Sequence, residues 1–279
     1  MQMTVKQYED LDITDNFIFY KVMSTRPDIT RRVLELILNT KIKKLTILNG
    51  ENVIQVAPDA KGSRLDVYIE TEDGRIIDLE MQTSLLKEIP KRMRYYQSNI
   101  DLFNLNPNMR YEDLPENIVI FIVPKDPYNR GFYKYTFENR CTDDLALPFG
   151  DETKKIFINI AGDISGAPKE MQFFIRYLRK EAAMSTLTKD IDDAIVESRK
   201  NTRWKLEYMS WNAQRDDLLS EGYANGFKEG REDGLKEGQE TLIASINNVM
   251  NTLKYDADQA MELLDIPKDQ RDIDRKSVV

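Results

Sequence analysis

Residues 64–82, RLDVYIETEDGRIIDLEMQ, alternate apolar and polar positions with a period of two. Leu65, Val67 and Ile69, then Ile77, Leu79 and Met81, share one face. Arg64, Asp66, Tyr68 and Glu70, then Ile76, Asp78, Glu80 and Gln82, share the other. This pattern predicts a β-hairpin. A two-residue Asp73-Gly74 loop would pair Asp66 with Met81 and mix the faces. A three-residue loop, Glu72-Asp73-Gly74 with Gly74 left-handed, keeps the apolar face on one side. It pairs Leu65 with Met81, Val67 with Leu79 and Ile69 with Ile77. The same register sets Asp66 opposite Glu80 and Arg64 opposite Gln82.

Upstream, DITDNFIFYKVMS (12–24) predicts a first helix, and Pro27 opens a second through Ile29, Val33, Leu36 and Ile37. KLTIL (44–48) and NVIQVA (52–57) predict short strands. Downstream, LLKEIPKRMRYYQSNIDLFNL (85–105) predicts a helix with Pro90 near its start. ENIVIFIVP (116–124) is a near-continuous apolar run, the pattern of a strand buried on both faces. GFYKYTFENR (131–140) and KKIFINIAG (154–162) predict two more strands. From Ala167 the chain becomes mostly helical, so the composition divides it at residue 165 into a mixed domain, 1–165, and a helical region, 166–279. Within the latter, glycine recurs at 222, 226, 230, 234 and 238. Each glycine costs a helix about 1 kcal/mol relative to alanine. The stripe therefore predicts either close helix association, as in a homo-oligomer joined through its C-terminal helices, or a solvated, low-complexity tail.

Composition narrows the chemistry. The chain has no histidine and one cysteine, Cys141, which excludes a Ser-His-Asp triad, a Cys-His pair and a histidine-liganded zinc. Without a base to activate it, Cys141 reads as a small core residue. An enzyme built from this chain would use carboxylates, amides, lysines and a hard metal that prefers oxygen ligands. The net charge of −8 argues against a uniformly basic nucleic-acid-binding surface but leaves room for a local basic groove. No apolar run approaches the roughly 18 residues of a membrane span, and MQMTVKQYED has no secretory pattern, so the expectation is a cytoplasmic protein without membrane contact.

Against that background the acids at 66 and 80 become a question of energy. Like charges directly opposed across two strands are destabilising, by about 1 kcal/mol in open water and about 3–4 kcal/mol at an effective dielectric near 20. A solvated acidic face tolerates the pair. In a cleft, the pair calls for a shared proton or a cation, and two converging carboxylates are a natural partial ligand set for Mg²⁺.

The pattern RLDV, a short turn, then DLEMQ resembles the active-site hairpin of the PD-(D/E)xK nucleases. More closely, the chain resembles the Rpn family of recombination-promoting nucleases, also described as transposases. The likeness runs from TDNFIFYKVMS through SRLDVYIETEDGRIIDLEMQ and RMRYYQSNID to FIVPKDPYNRGFYKYTFENRC, DLALPFGDETKKIFINIAG and the Glu/Gly-rich tail. It implies an α/β (α+β) fold, with a restriction-endonuclease-like central mixed sheet flanked by helices and a helical C-terminal extension. It implies a DNA endonuclease dependent on Mg²⁺ or Mn²⁺ and tied to recombination or transposition. Asp66 and Glu80 match the two motif acids and would bind the metal with the main-chain carbonyl of Met81. Gln82 stands where most of the superfamily has lysine. It can hold a water molecule but brings no charge, and Lys61, Lys87 and Lys91 are candidates to supply one.

For DNA contact, Lys91, Arg92 and Tyr96 are the candidates near that site. Arg92 and Tyr96 lie four apart on one helix face, where the alternative is a solvated arginine and a half-buried core tyrosine. Asp15 reads as a helix N-cap, or as an outer acid of the site. KIKKL (41–45), KRMR (91–94) and SRKNTRWK (198–205) are basic clusters, and Trp204 and Trp211, seven apart, suit a packed helix face at least as well as base stacking. The competing reading is a catalytically inactive module that binds DNA or a partner and self-associates through its tail.

Overall fold

The computed structural model describes residues 6–48, 53–54, 63–64, 66–84 and 88–267, with 53–54 and 63–64 described for their backbone alone. Two helices lead, α1 (Asn16–Thr25) and α2 (Pro27–Leu38), with proline in the first turn of α2 as expected. Strands β1 (Leu45–Leu48), β2 (Val53–Ile54) and β3 (Ser63–Arg64) precede the hairpin strands β4 (Val67–Thr71) and β5 (Ile76–Met81). Helix α3 (Ile89–Asn104) then crosses to β6 (Asn117–Val123), followed by β7 (Lys134–Phe137) and β8 (Thr153–Asn159). Among the described residues, four helices follow: α4 (Lys169–Leu178), α5 (Thr186–Arg199), α6 (Thr202–Leu253) and α7 (Ala257–Leu263).

Six strands form one mixed sheet in the order β1-β4-β5-β6-β8-β7, and β2 pairs with β3 separately. β5, β6 and β8 run parallel, while β1, β4 and β7 join antiparallel. The hairpin register follows from its pattern: Val67 pairs with Leu79 and Ile69 with Ile77, and Gly74 sits at φ +83° in the turn. The expected pairs at Leu65 and Arg64 lie outside the residues whose side chains are described, as do most of NVIQVA, Lys61 and Lys87.

Period-two alternation sends the sheet's side chains into two cores. Val67, Ile69, Ile77, Leu79 and Met81 join residues of α1, α2, α4 and α5 on one face. Tyr68, Ile76, Val119, Phe121 and Phe157 meet Ile89, Met93, Tyr96 and Ile100 of α3 on the other. Both faces being covered, β5 and β6 are buried along their whole length. The apolar run at 116–124 has its cause there.

Side-chain hydrogen bonds lock α3 onto the sheet. Gln97 Nε2 donates to the carbonyls of Asn117 (3.2 Å) and Lys154 (3.1 Å). Asn117 Nδ2 donates back to the Gln97 carbonyl (3.1 Å) and to Asp101 Oδ1 (2.9 Å). Asn104 Nδ2 donates to the Tyr68 hydroxyl (2.7 Å).

The chain divides into two compact units between Met209 and Ser210. In the first, α4 and α5 lie beyond the composition change at 165, yet they contribute Phe174, Ile175, Ile191 and Ile195 to the same core as α1 and α2. In the second, Leu242, Ile246 and Val249 pack with Ala260, Met261 and Ile266 around the turn after α6. The five repeated glycines fall within the continuous helix α6, and the space where each would carry a side chain is open. No helix among the described residues is long and apolar enough to cross a membrane.

Three local expectations are corrected. Cys141 is half-buried in a surface loop rather than set in the core. Trp204 packs partly against the main core, but Trp211 is 37% exposed, with the Arg215 guanidinium 5.7 Å from its ring. Asp15 holds the N-cap position of α1 without capping it. Its carboxylate accepts instead from the Asp12 amide (2.9 Å) and Lys6 Nζ (2.6 Å).

Candidate active site

Glu80, Met81 and Gln82 lie at the C-terminal end of β5, where the parallel strands of the sheet end. Crevices outside such strand ends are where open α/β sheets hold ligands. Alternation turns Asp78 and Glu80 toward α3, away from Leu79 and Met81. Asp66 precedes β4 at the same end of the hairpin. Its amide donates to Glu80 Oε1 (2.8 Å), and its own Oδ2 accepts from the Met81 amide (3.2 Å). The two acids are therefore interlocked across the hairpin, in the register that the three-residue turn sets.

Gln82 and Arg92 complete the cluster. Gln82 Nε2 donates to Glu80 Oε2 (3.1 Å), and Gln82 Oε1 accepts from an Arg92 terminal nitrogen (3.1 Å). The other terminal nitrogen of Arg92 donates to Glu80 Oε2 (3.2 Å), and its Nε donates to the Tyr96 hydroxyl (2.9 Å). The guanidinium carbon lies 5.1 Å from the ring centroid of Tyr96 and 5.4 Å from that of Phe121. Of the DNA-contact candidates, Lys91 is exposed on the surface of α3. Arg92 is drawn into the acid cluster. Tyr96 is buried beneath it, with its hydroxyl engaged by Arg92. In the third basic cluster, Arg199 is spent on the Leu11 carbonyl and Lys205 on Glu9.

Glu80 is 1% exposed. Burial pushes its carboxyl well above the usual range, the Asp66 and Asp78 charges push the same way, and the Asp66 amide and Arg92 oppose them. Asp78 is fully buried and neither of its carboxyl oxygens has a hydrogen-bond partner. Burial and the charge of Asp66 raise it as well. Raised carboxyl groups beside a further acid mark a place that attracts a cation. Sequence reasoning put Asp78 on the correct face but gave it no role. The signal was its spacing, two residues ahead of Glu80 on one strand.

Among the described residues, no three acidic, cysteine or histidine side chains converge as a ready-made metal cluster. The donor set is two carboxylates, Asp66 and Glu80, with the Met81 carbonyl next in sequence. Hard oxygen donors of this number suit Mg²⁺, which keeps several waters and takes few protein ligands. The residues present fit such an ion.

A mixed sheet that interlocks an acid before one hairpin strand with a Glu-x-Gln at the end of the next defines a nuclease-type fold of the PD-(D/E)XK kind. A family model described as PD-(D/E)XK nuclease family transposase matches residues 14–164, over half the chain. The chain belongs to that family. Curated proteins and solved structures gave no significant match.

Proposed function

We propose that this protein is a metal-dependent DNA endonuclease that hydrolyses phosphodiester bonds, using Asp66, Glu80 and the Met81 carbonyl to hold Mg²⁺ or Mn²⁺. The observation that carries the reading is the interlock of Asp66 with Glu80, the Asp66 amide on one carboxylate and the Met81 amide on the other. A bound divalent cation would polarise the scissile phosphodiester and acidify a water molecule beside it. Hydrolysis forms one bond, from a water oxygen to phosphorus, and breaks one, from phosphorus to the leaving sugar oxygen, which takes up a proton. Gln82, its carboxamide held between Glu80 and Arg92, would orient the attacking water. Lys91, exposed one residue before Arg92, would meet the DNA backbone.

A DNA partner, a cytoplasmic site of action and a part in recombination or transposition go with this reading. So does self-association through the glycine-bearing helix α6. The test is cleavage of supercoiled plasmid by the purified full chain with Mg²⁺ or Mn²⁺, with EDTA, and with Asp66→Ala and Glu80→Ala. Metal-dependent nicking that both substitutions abolish is the expected result. A folded wild-type protein that cuts nothing with either metal would leave the binding-module reading in its place.

A further inference from the structure

A nuclease site with glutamine at position 82 has its acids and its water-holding amide but no charge at that position. Among the described residues, Arg92 is the one cationic side chain hydrogen-bonded to Glu80 or to Gln82. Its guanidinium is held on three sides: Glu80, Gln82 and the Tyr96 hydroxyl each take one nitrogen, and two aromatic rings lie close to it. Arginine suits such a place because its planar fork keeps its charge and binds phosphate through paired donors. A guanidinium carries five N–H donors, and the contacts here use three. The side chain is 31% exposed, so the group is anchored from within and still reachable from outside.

The same contacts decide which way Gln82 points. Its Nε2 must face the Glu80 carboxylate and its Oε1 must face the guanidinium. Turned over, the amide would set oxygen against carboxylate and N–H against N–H, losing both bonds.

We propose that Arg92 is the catalytic cation of this site, carrying from α3 the positive charge that Gln82 lacks, bracing Glu80 and Gln82 and donating to a non-bridging oxygen of the scissile phosphate. This rests on the nuclease reading above. It makes Gln82 and Arg92 a linked pair: the amide works at position 82 because the charge stands beside it.

The test is a cycle of variants at both positions, with single-turnover plasmid cleavage, DNA affinity by fluorescence anisotropy in EDTA, and thermal melting. Removing one preorganised donor of this kind costs about 10²–10³-fold in rate. Arg92→Gln is expected to lose that much rate while DNA affinity changes less than about fivefold, because a single phosphate contact contributes little to total affinity. Arg92→Lys keeps the charge and is expected to retain more rate than Arg92→Gln. Gln82→Lys alone sets two cations side by side and slows the enzyme. In the Arg92→Gln background the same substitution restores cleavage, which a purely structural role for Arg92 would not predict.

Cleavage by Arg92→Gln within about threefold of wild type, with Asp66→Ala inactive, overturns the proposal and leaves the nuclease reading standing. So does a folded Arg92→Gln whose loss neither Gln82→Lys restores nor Arg92→Lys reduces. If Arg92→Gln does not fold, Arg92→Lys decides: slower cleavage at unchanged DNA affinity supports the proposal, because lysine lacks the paired donors, and a loss of rate matched by an equal loss of affinity, or no loss of rate, overturns it. A loss of rate that tracks an equal loss of DNA affinity makes Arg92 a DNA anchor and overturns it. A wild-type chain without metal-dependent cleavage overturns both readings together.

Discussion

Gln97 joins the helix that carries Arg92 to the neighbouring parallel strands β6 and β8, and replacing it tests how α3 is held. Gln97→Leu places an apolar side chain of similar volume, branched one carbon nearer the backbone, where a buried amide stands. It removes both bonds from Nε2 to the Asn117 and Lys154 carbonyls and leaves the two bonds made by Asn117 intact. Each buried hydrogen bond contributes about 1 kcal/mol net, and stranding an acceptor costs about 1–3 kcal/mol. The added methyl groups recover about 1 kcal/mol through apolar burial. The net expectation is a loss of about 2 kcal/mol. For a unit of this size each kcal/mol moves Tm by about 2–4 °C, so Tm should fall by about 4–8 °C. Urea unfolding followed by circular dichroism should show a lower midpoint with an unchanged slope, and the exposed neighbour change Ser98→Ala should stay within about 0.5 kcal/mol of wild type. A Gln97→Leu protein that melts within 1 °C of wild type would refute the reasoning. It would mean that the two carbonyls are satisfied by the strands alone and that the clasp does not hold α3 in place.

Two further predictions concern the frame around the site. Burial acts to raise the Asp12 carboxyl, but the Thr14 hydroxyl and amide, Lys180 and Lys6 outweigh it and hold the group at about 2. Because that lies below the ordinary value of 3.8, the contribution is present above about pH 4 and lost as pH falls through about 2. Asp12→Asn should therefore cost about 1 kcal/mol at pH 7 once solvent screening of this half-buried group is allowed for, and the wild-type and variant melting curves should converge near pH 2; a gap that persists there would contradict the assignment. Gly74 turns the hairpin at φ +83° with open space around it, so Gly74→Ala meets no neighbour and costs only backbone strain. The expected loss is about 1–2 kcal/mol by chemical denaturation, and a neutral result would mean that the turn relaxes to another shape.

Much of the site was legible before any tertiary contact was known. A period of two over 64–82 and one glycine suited to a left-handed turn leave one register that keeps the apolar side chains together. Under that register Asp66 and Glu80 must meet, so local geometry alone paired the acids. The near-continuous apolar run at 116–124 announced a strand covered on both faces for the same kind of reason. Burial decided the rest. Asp78 reads like any polar position of an alternating strand, and only the packing of α3 over that face makes it a fully buried acid without partners. Arg92 and Gln82 lie ten residues apart on different elements. Their contact depends on the angle at which α3 crosses β5, which is set by Met93, Tyr96 and Ile100 packing on Val119 and Phe121 and by the Gln97–Asn117 clasp. The composition change at 165 gave no hint that α4 and α5 share a core with α1 and α2, because an amphipathic stripe states that a helix must cover something without naming what. Alternation and turn chemistry are properties of neighbouring residues and are written along the chain; the charge beside Gln82 arises from the meeting of distant ones, and only the packed structure supplies it.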